Sequence, residues 1–255
     1  MGWTRLLTKD TGLQRPSQTP LRQPGRAPRQ AVLLLLAAAL SVHADDPLEA
    51  VLARIDATTA GFKGLKAEVK KVAHNDVINV DETDIGTIMV KRGAKSKDLQ
   101  MLFDIKQPDA KKVLVTGSKA WIYIVKNPNE VQEYDLSRKF RGMFEQYLLL
   151  GFGSNSRDLR DAYTVKLGQP ASEVVAGEKT TKIELVPKSR EMLTQVKKCE
   201  IWISDSKGVA VQQKLHTGGG DYQLATYTNM VINPAIGDLK LDLPRGVKTV
   251  KPLKE

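Results

Sequence analysis

The sequence predicts an α+β fold in which one amphipathic helix precedes a large antiparallel sheet. Three observations lead to this prediction. Apolar residues recur at helical spacing just after residue 46, apolar and polar residues then alternate with the period of a strand through many short segments, and turn residues separate those segments at even intervals. A meander of such strands forms a sandwich or a barrel.

Residues 1–44 have the pattern of a secretory signal peptide with a long basic region. The apolar run AVLLLLAAAL spans residues 31–40, arginines precede it, and Val42 and Ala44 are the small residues of a cleavage site. The run is too short to cross a bilayer, which needs roughly 20 residues. We therefore expect cleavage near Ala44, no transmembrane span in the mature protein, and a single domain over residues 45–255.

The formal net charge of +10 is partly a property of the predicted signal peptide. Residues 1–44 hold six of the 39 basic and one of the 29 acidic residues, so residues 45–255 keep an excess of five positive charges. These charges are spread along the chain, and aromatic residues make up only 5% of it. Nucleic-acid binding favours a clustered basic stripe with stacking aromatics, so we expect no nucleic-acid partner.

The first element of the mature chain is predicted to be a helix of about four turns. Asp46 is an acidic N-cap, Pro47 suits the first helical position, and Gly61 suits the end. One face carries apolar residues at spacings i, i+3, i+4 and i+7, namely Leu48, Val51, Leu52 and Ile55.

Alternation predicts six strands in the first half of the chain, over residues 65–70, 85–92, 99–105, 111–116, 119–125 and 131–135. In GTIMVKRG, residues 86–93, it places Arg92 on the same face as Ile88 and Val90. We expect this face to continue through Met101, Phe103, Ile105, Val113, Val115, Trp121 and Tyr123. These side chains form either a filled core or the wall of a cavity. For Arg92, the strand pattern alone favours a solvated strand end over a role in that cavity.

Residues 137–162 interrupt the strands and are predicted to form two helices across one mouth or face of the sheet. Leu148 and Leu149 belong to the apolar part of the first helix, and the second begins near Ser156. Strands then resume over residues 163–167, 172–176, 180–186, 196–204, 208–216 and 221–232. The glycine triplet at 218–220 precedes no helix, which indicates a hairpin turn rather than a phosphate loop.

The sequence contains none of the common catalytic or metal-binding motifs. Cys199 is the only cysteine, and it alternates with Ile201 and Ile203, which favours a buried strand position over a nucleophile. His74 and Asp76 lie in a polar stretch that favours a solvated loop over a metal site. We expect no enzyme activity, no metal and no cofactor, although an exported hydrolase that uses His216 remains an alternative.

Five short motifs follow one another along the chain: GTIMVKRG at 86–93, IKQP at 105–108, GSKAWIY at 117–123, IELVPK at 183–188 and LDLPRGV at 241–247. Behind a signal peptide and an amphipathic helix, this order resembles the outer-membrane lipoprotein carrier family, the LolA-type periplasmic chaperones. The resemblance covers nearly all of residues 46–250. Gly93, Phe103 and the Gly117-Ser118 turn replace the Pro, Trp and Asp-Gly of the family pattern, as in a divergent member.

The resemblance implies an unclosed antiparallel β-barrel, or half-barrel, whose concave apolar face is covered by lid helices. It implies a monomeric periplasmic carrier that shields the acyl chains of lipoproteins between the inner and the outer membrane. The partners would be acylated lipoproteins, an inner-membrane release complex and an outer-membrane acceptor. A regulatory protein of the cell envelope that senses lipid or lipoprotein on the same half-barrel is the alternative.

The resemblance also implies roles for particular residues. Arg92 matches the family arginine that faces the cavity and holds the lid helices through hydrogen bonds to their backbone. An arginine offers five donors in a planar fork and can bind the free carbonyls of a helix end. The residues expected to line the acyl-chain cavity with it are Ile88, Val90, Met101, Phe103, Ile105, Trp121, Tyr123, Leu148 and Leu149.

Overall fold

A computed structural model describes residues 46–93, 99–136 and 150–251 of the 255-residue chain. Residues 137–149, which hold Leu148 and Leu149 from the first of the two helices predicted within 137–162, lie outside these residues, as does the predicted signal peptide. The described elements are α1 (Pro47–Ala60), β1 (Gly64–Asn75), β2 (Val80–Arg92), β3 (Leu99–Gln107), β4 (Lys111–Thr116), β5 (Lys119–Ile124), β6 (Glu130–Asp135), α2 (Ser156–Ala162), β7 (Tyr163–Val175), β8 (Glu178–Pro187), α3 (Arg190–Gln195), β9 (Lys198–Ser204), β10 (Ala210–Gly218), β11 (Asp221–Ile232) and β12 (Lys248–Val250).

Helix α1 begins and ends where the sequence predicts. The Asp46 carboxylate accepts a hydrogen bond from the Leu48 backbone nitrogen at 2.9 Å, Pro47 is the first helical residue, and Gly61 is the C-cap. The predicted apolar stripe is the buried face of the helix, since Val51, Leu52 and Ile55 are almost fully buried.

The strands form one sheet of twelve in the order β12-β6-β5-β4-β3-β2-β1-β11-β10-β9-β8-β7. Every neighbouring pair is antiparallel except β12 and β6, which run parallel. Strands β12 and β7 are the two edges and do not pair with each other. The protein is therefore an α+β half-barrel, an antiparallel β-barrel that is not closed, as the sequence predicts.

The two faces of the sheet differ in what covers them. We call the face of Ile88 and Val90 the inner face; Ile88 lies opposite Phe103, and Val90 lies opposite Met101. Residues opposite one another in adjacent strands share a face. The inner face forms one core with α1 and with residues near 150, and this core includes Leu65, Met101, Ile105, Leu150, Phe152, Ile183, Leu185, Cys199 and Ile201.

Trp121 and Tyr123 do not lie on the inner face, and this part of the prediction is wrong. The turn between β4 and β5 has only two residues, so Val115 faces Ala120 while Leu114 faces Trp121. A shift of one residue moves every side chain of a strand to the other face. Trp121 and Tyr123 therefore belong to the outer face, where Trp121 Nε1 donates to Glu133 Oε2 at 3.0 Å.

The second half of the sheet differs from the prediction in two places. The predicted strands over 163–167 and 172–176 are one strand, β7, whose pairing with β8 shifts register between Leu167 and Ser172. The short helix α3 precedes β9 and was not predicted; Ser189 caps it by accepting from the Met192 backbone nitrogen. The glycine triplet forms the β10–β11 hairpin turn, as predicted.

Residues 233–247, here called the C-terminal strap, pass over the outer face. At their start Asn233 donates to the Gly61 carbonyl at 2.9 Å, and further on Lys91 Nζ contacts Asp238 at 2.9 Å. Strand β12 then pairs with β6. Because Lys91 points from β2 to the outer face, the strap crosses the side on which Leu102, Leu114, Tyr123 and Val131 are buried.

Candidate functional site on the inner face

Arg92 connects the end of α1 with the segment that precedes α2. Its Nη2 donates to the Gly153 carbonyl, and its Nη1 lies 3.5 Å from the Thr59 carbonyl, at the long limit of a hydrogen bond. Its Cζ lies 5.7 Å from the centroid of the Phe62 ring. The strand parity predicted from the sequence is therefore present in the structure, and Arg92 contacts backbone carbonyls rather than ending a strand in solvent.

Gly153 is the residue that lets the segment come so close to Arg92. Its φ is +88°, a conformation that glycine adopts without strain. A Cβ placed there would lie 2.4 Å from Arg92 Nη2 and 3.1 Å from a ring carbon of Phe62. Within the described residues, Arg92 Nε is buried and has no hydrogen-bond partner.

The segment of residues 150–153, here called the plug, fills the inner face beside α1. Leu150 and Phe152 are buried, and the Phe152 ring packs edge-on against Tyr227 with centroids 4.9 Å apart. The amide of Gln213 donates to the Leu150 carbonyl and accepts from the Tyr227 hydroxyl at 3.0 Å. The plug is thus bound to β10 and β11 at one end and to Arg92 at the other.

Helix α1 is attached to its neighbours through polar contacts as well as through its apolar face. Asp56 accepts from the backbone nitrogen and the hydroxyl of Ser156, each at 2.6 Å, at the start of α2. Arg54 pairs with Asp205 in the β9–β10 turn. Burial raises the pKa of Asp205, but hydrogen bonds from Thr181 and Arg54 and nearby positive charges lower it by more. The pKa of Asp205 is therefore lower than that of an ordinary aspartate.

A strip of the inner face next to this core is only half covered. Phe103 on β3 lies opposite Val113 on β4, which lies opposite Ile122 on β5. All three side chains are half-buried, and Ile124, two residues further along β5, is 36% exposed. We call Phe103, Val113, Ile122 and Ile124 the inner-face strip; it is an apolar surface on the open side of the sheet.

Those predicted cavity residues that the structure describes thus divide into four groups. Ile88, Val90, Met101 and Ile105 are buried in the core with α1 and the plug. Phe103 packs against that core and belongs to the half-covered strip. Arg92 lies at the plug, whereas Trp121 and Tyr123 lie on the other face. The contact of Arg92 with the Gly153 carbonyl of the plug was not predicted, because a backbone group has no signature in the sequence.

Three charged side chains border the inner-face strip at the end of the sheet away from Arg92. Lys111 faces Ile124 across the β4–β5 pair, and its Nζ lies 2.9 Å from Asp84 Oδ2 on β2. Lys71 lies directly opposite Asp84 in the β1–β2 pair. Burial lowers the pKa of Lys71, Asp84 opposes this, and the charge of Lys111 lowers it further, so the net shift is downward.

The residues considered for catalysis or metal binding have other roles in the structure. Burial raises the pKa of Cys199 to about 12, which keeps the thiol protonated in the core. His74 lies in β1 rather than in a solvated loop; its ring stacks on Tyr222 at 4.7 Å and pairs with Asp81. His216 contacts Glu200 at 2.7 Å. Among the described residues, no three His, Cys, Asp or Glu side chains are grouped so as to hold a metal.

No helix within the described ranges is both long and apolar enough to span a bilayer. No protein-family profile matches the sequence, and no curated protein matches it.

Solved structures similar to this chain include a LolA superfamily protein from Nitrosomonas europaea, with 13% identity over 74% of this chain and 94% of that chain, at a TM-score of 0.37. The lipoprotein LppX of Mycobacterium tuberculosis is similar at 14% identity over 74% of this chain and 98% of that one, with a TM-score of 0.44. The Pseudomonas aeruginosa MucA/MucB complex matches at 11% identity over 76% of this chain, with a TM-score of 0.45. This chain covers 59% of the matched chain of that complex.

Proposed function

We propose that the protein is a periplasmic carrier that binds the acyl chains of lipoproteins on its inner face and shields them on the way from the inner to the outer membrane. The observation that carries this proposal is the inner-face strip, an apolar surface left half covered on the open side of a half-barrel. The order of the five sequence motifs supports the same function.

The energetics of an acyl chain explain why a carrier is needed. Each methylene exposed to water costs about 0.8 kcal/mol, so a chain of about 15 methylenes costs on the order of 12 kcal/mol. Unaided transfer through water is therefore negligible. A surface that accepts the chain must also release it, which limits how much of the chain it buries in a permanent cavity.

The plug and Arg92 provide a means of adjusting that balance. In this proposal the acyl chain first occupies the inner-face strip and then displaces the plug, which exposes Ile88, Val90, Met101 and Ile105 to the cargo. Arg92 favours the return of the plug because its guanidinium binds the Gly153 carbonyl. The acyl chain and the plug thus compete for one apolar surface. When the acyl chain leaves, the plug returns and re-forms its hydrogen bond with Arg92. We also propose that Leu148 and Leu149, which precede the plug in the sequence, contribute to the acyl-binding surface.

The proposed carrier function implies a location and a set of partners. We propose that residues 1–44 direct export and are removed near Ala44, and that residues 45–255 act as a monomer. A release complex in the inner membrane would load the protein, and an acceptor in the outer membrane would receive the cargo. The function uses no metal, no cofactor and no nucleic acid.

The test is to purify the protein from the envelope of its host and to identify bound molecules by native mass spectrometry. A carrier co-purifies with acylated protein, and its depletion leaves outer-membrane lipoproteins in the inner-membrane fraction. Normal fractionation of lipoproteins after depletion contradicts the carrier function. Recovery of an inner-membrane regulator in place of acylated protein would instead identify the sensor alternative.

A further inference from the structure

The inner-face strip ends at a pair of lysines. Lys111 precedes Val113 by two residues on β4 and lies directly opposite Ile124 on β5. Residues two apart on a strand, and residues opposite one another in a pair, are neighbours on the same face. The apolar surface and the positive charge are therefore continuous.

The charges at this end of the strip are not balanced. Among the residues that the structure describes, Lys71 and Lys111 share one carboxylate, Asp84, whose oxygens lie 2.9 and 3.1 Å from Lys111 Nζ. Within the described part of the chain Lys71 forms no ion pair, although its side chain is half-buried. A partly desolvated cation that shares its nearby carboxylate with a second lysine is incompletely neutralised, and an additional anion between the two lysines reduces that cost.

We propose that the two lysines bind the anionic head group of an amphiphile whose acyl chain lies along the inner-face strip. This inference rests on the proposed acyl-binding function and adds the class of ligand, an acidic rather than a neutral or zwitterionic amphiphile. Lysine binds carboxylate and phosphate groups as a mobile point charge, so both head groups suit the site. The ligand differs from free phosphate in its apolar tail. The tail contacts the inner-face strip, whereas free phosphate makes no such contact.

Two lysophospholipids with the same acyl chain provide the test. Lysophosphatidylglycerol carries a net negative charge, whereas lysophosphatidylcholine is zwitterionic, and each is titrated calorimetrically below its micelle concentration into the protein at physiological salt. We expect the anionic lipid to bind about tenfold more tightly, because charge-assisted contacts in a half-buried site persist at that ionic strength. Inorganic phosphate alone is titrated in parallel and is expected not to bind measurably.

The double variant Lys71→Met/Lys111→Met is expected to bring the affinity ratio of the two lipids to about one while leaving the affinity for the zwitterionic lipid within about twofold. Lys112→Met is the matched control, because Lys112 neighbours Lys111 in sequence but lies opposite Tyr123, on the outer face. This variant should keep the wild-type ratio. Circular dichroism and urea unfolding establish that each variant is folded.

Four results would overturn the inference. Equal binding of both lipids by the wild-type protein removes the head-group site and leaves the acyl-binding function intact. If Lys112→Met loses the preference for the anionic lipid as the double variant does, the preference comes from the overall charge of the protein. Saturable phosphate binding without lipid binding identifies a small-anion site, and failure of both lipids to bind contradicts the proposed function itself.

Discussion

Arg92 and Gly153 are joined by a hydrogen bond from the guanidinium to the backbone carbonyl, and a Cβ at Gly153 would meet the same guanidinium. The pair lies 61 residues apart in sequence and connects β2 to the plug. A charged donor on a half-buried carbonyl contributes on the order of 1.5–3 kcal/mol. The contact is therefore strong enough to bias the position of a short segment, and weak enough for an acyl chain to displace it.

The first prediction concerns Gly153→Ala. The new methyl group would lie 2.4 Å from Arg92 Nη2, and the positive φ of +88° adds backbone strain. We expect the free energy of unfolding to fall by about 2–4 kcal/mol from the two effects together. Urea unfolding at pH 7 measures this change.

Gly177→Ala is the matched control for that prediction. Gly177 has a φ of +80°, and a Cβ there meets nothing within 4 Å, so the control contains the backbone strain without the crowding. We expect Gly153→Ala to be more destabilising than Gly177→Ala by at least about 1 kcal/mol. Equal effects would mean that Arg92 moves aside without cost, and the role of Arg92 in holding the plug would fail.

The second prediction concerns Arg92→Leu in a transfer assay between donor and acceptor vesicles. The variant loses the bond that favours the return of the plug, so a dipalmitoylated peptide should still load from the donor vesicles. Its release to acceptor vesicles should slow by about tenfold, which corresponds to about 1.4 kcal/mol. Lys91→Met is the control, because Lys91 points to the strap on the outer face. Unchanged release by Arg92→Leu would remove Arg92 from the mechanism.

Much of the fold was predictable because local rules and the tertiary structure agree. The capping of α1 by Asp46 follows from the preference of acidic residues for N-caps, and the alternation around Ile88 places Arg92 on the inner face. The error at Trp121 arose from the register of a two-residue turn. Because Thr116 pairs with Lys119, the turn consists of Gly117 and Ser118 alone. This turn length determines that Trp121 lies on the outer face.

The candidate site was less predictable, because its parts come together only through long-range contacts. The sequence indicates that Arg92 shares a face with apolar residues, but its partners, the Gly153 and Thr59 carbonyls, are backbone groups. The charged residues at the end of the inner-face strip were unpredictable for the same reason. Lys71 and Lys111 are ordinary strand lysines in sequence, and only the successive pairing of β1 with β2, β2 with β3 and β3 with β4 brings both next to Asp84.

The third prediction concerns Ile122→Asn in the inner-face strip. Because Ile122 is already half-exposed, we expect the free energy of unfolding to change by about 1 kcal/mol or less. Removing apolar surface from the strip should nevertheless weaken binding of a fluorescent fatty acid by about tenfold. Ile85→Asn, at a 45% exposed position on β2 outside the strip, is the matched control and should bind normally. Equal loss of binding in both variants would show that the strip does not contact the ligand.

The fourth prediction concerns the stability of the outer face in acid. Burial raises the pKa of Glu200, but the hydrogen bond from His216 and the charges of Lys198, His216 and Lys182 lower it more, so its pKa in the folded protein is below 4.5. The unfolded state therefore binds this proton at a higher pH than the folded state does. The stabilisation is complete above the unfolded pKa and is lost as the pH falls through the folded value.

Glu200→Gln should accordingly be less stable than the wild-type protein at pH 7, by about 1 kcal/mol or less because the site is partly exposed. The difference should shrink as the pH falls below 4.5, since the wild-type protein then loses the same charge. Urea unfolding at half-unit steps from pH 7 to pH 3 measures both curves, with the exposed Glu82→Gln as control. Parallel curves for Glu200→Gln and the wild-type protein down to pH 3 would show that the ion pair with His216 does not contribute to the acid dependence of folding.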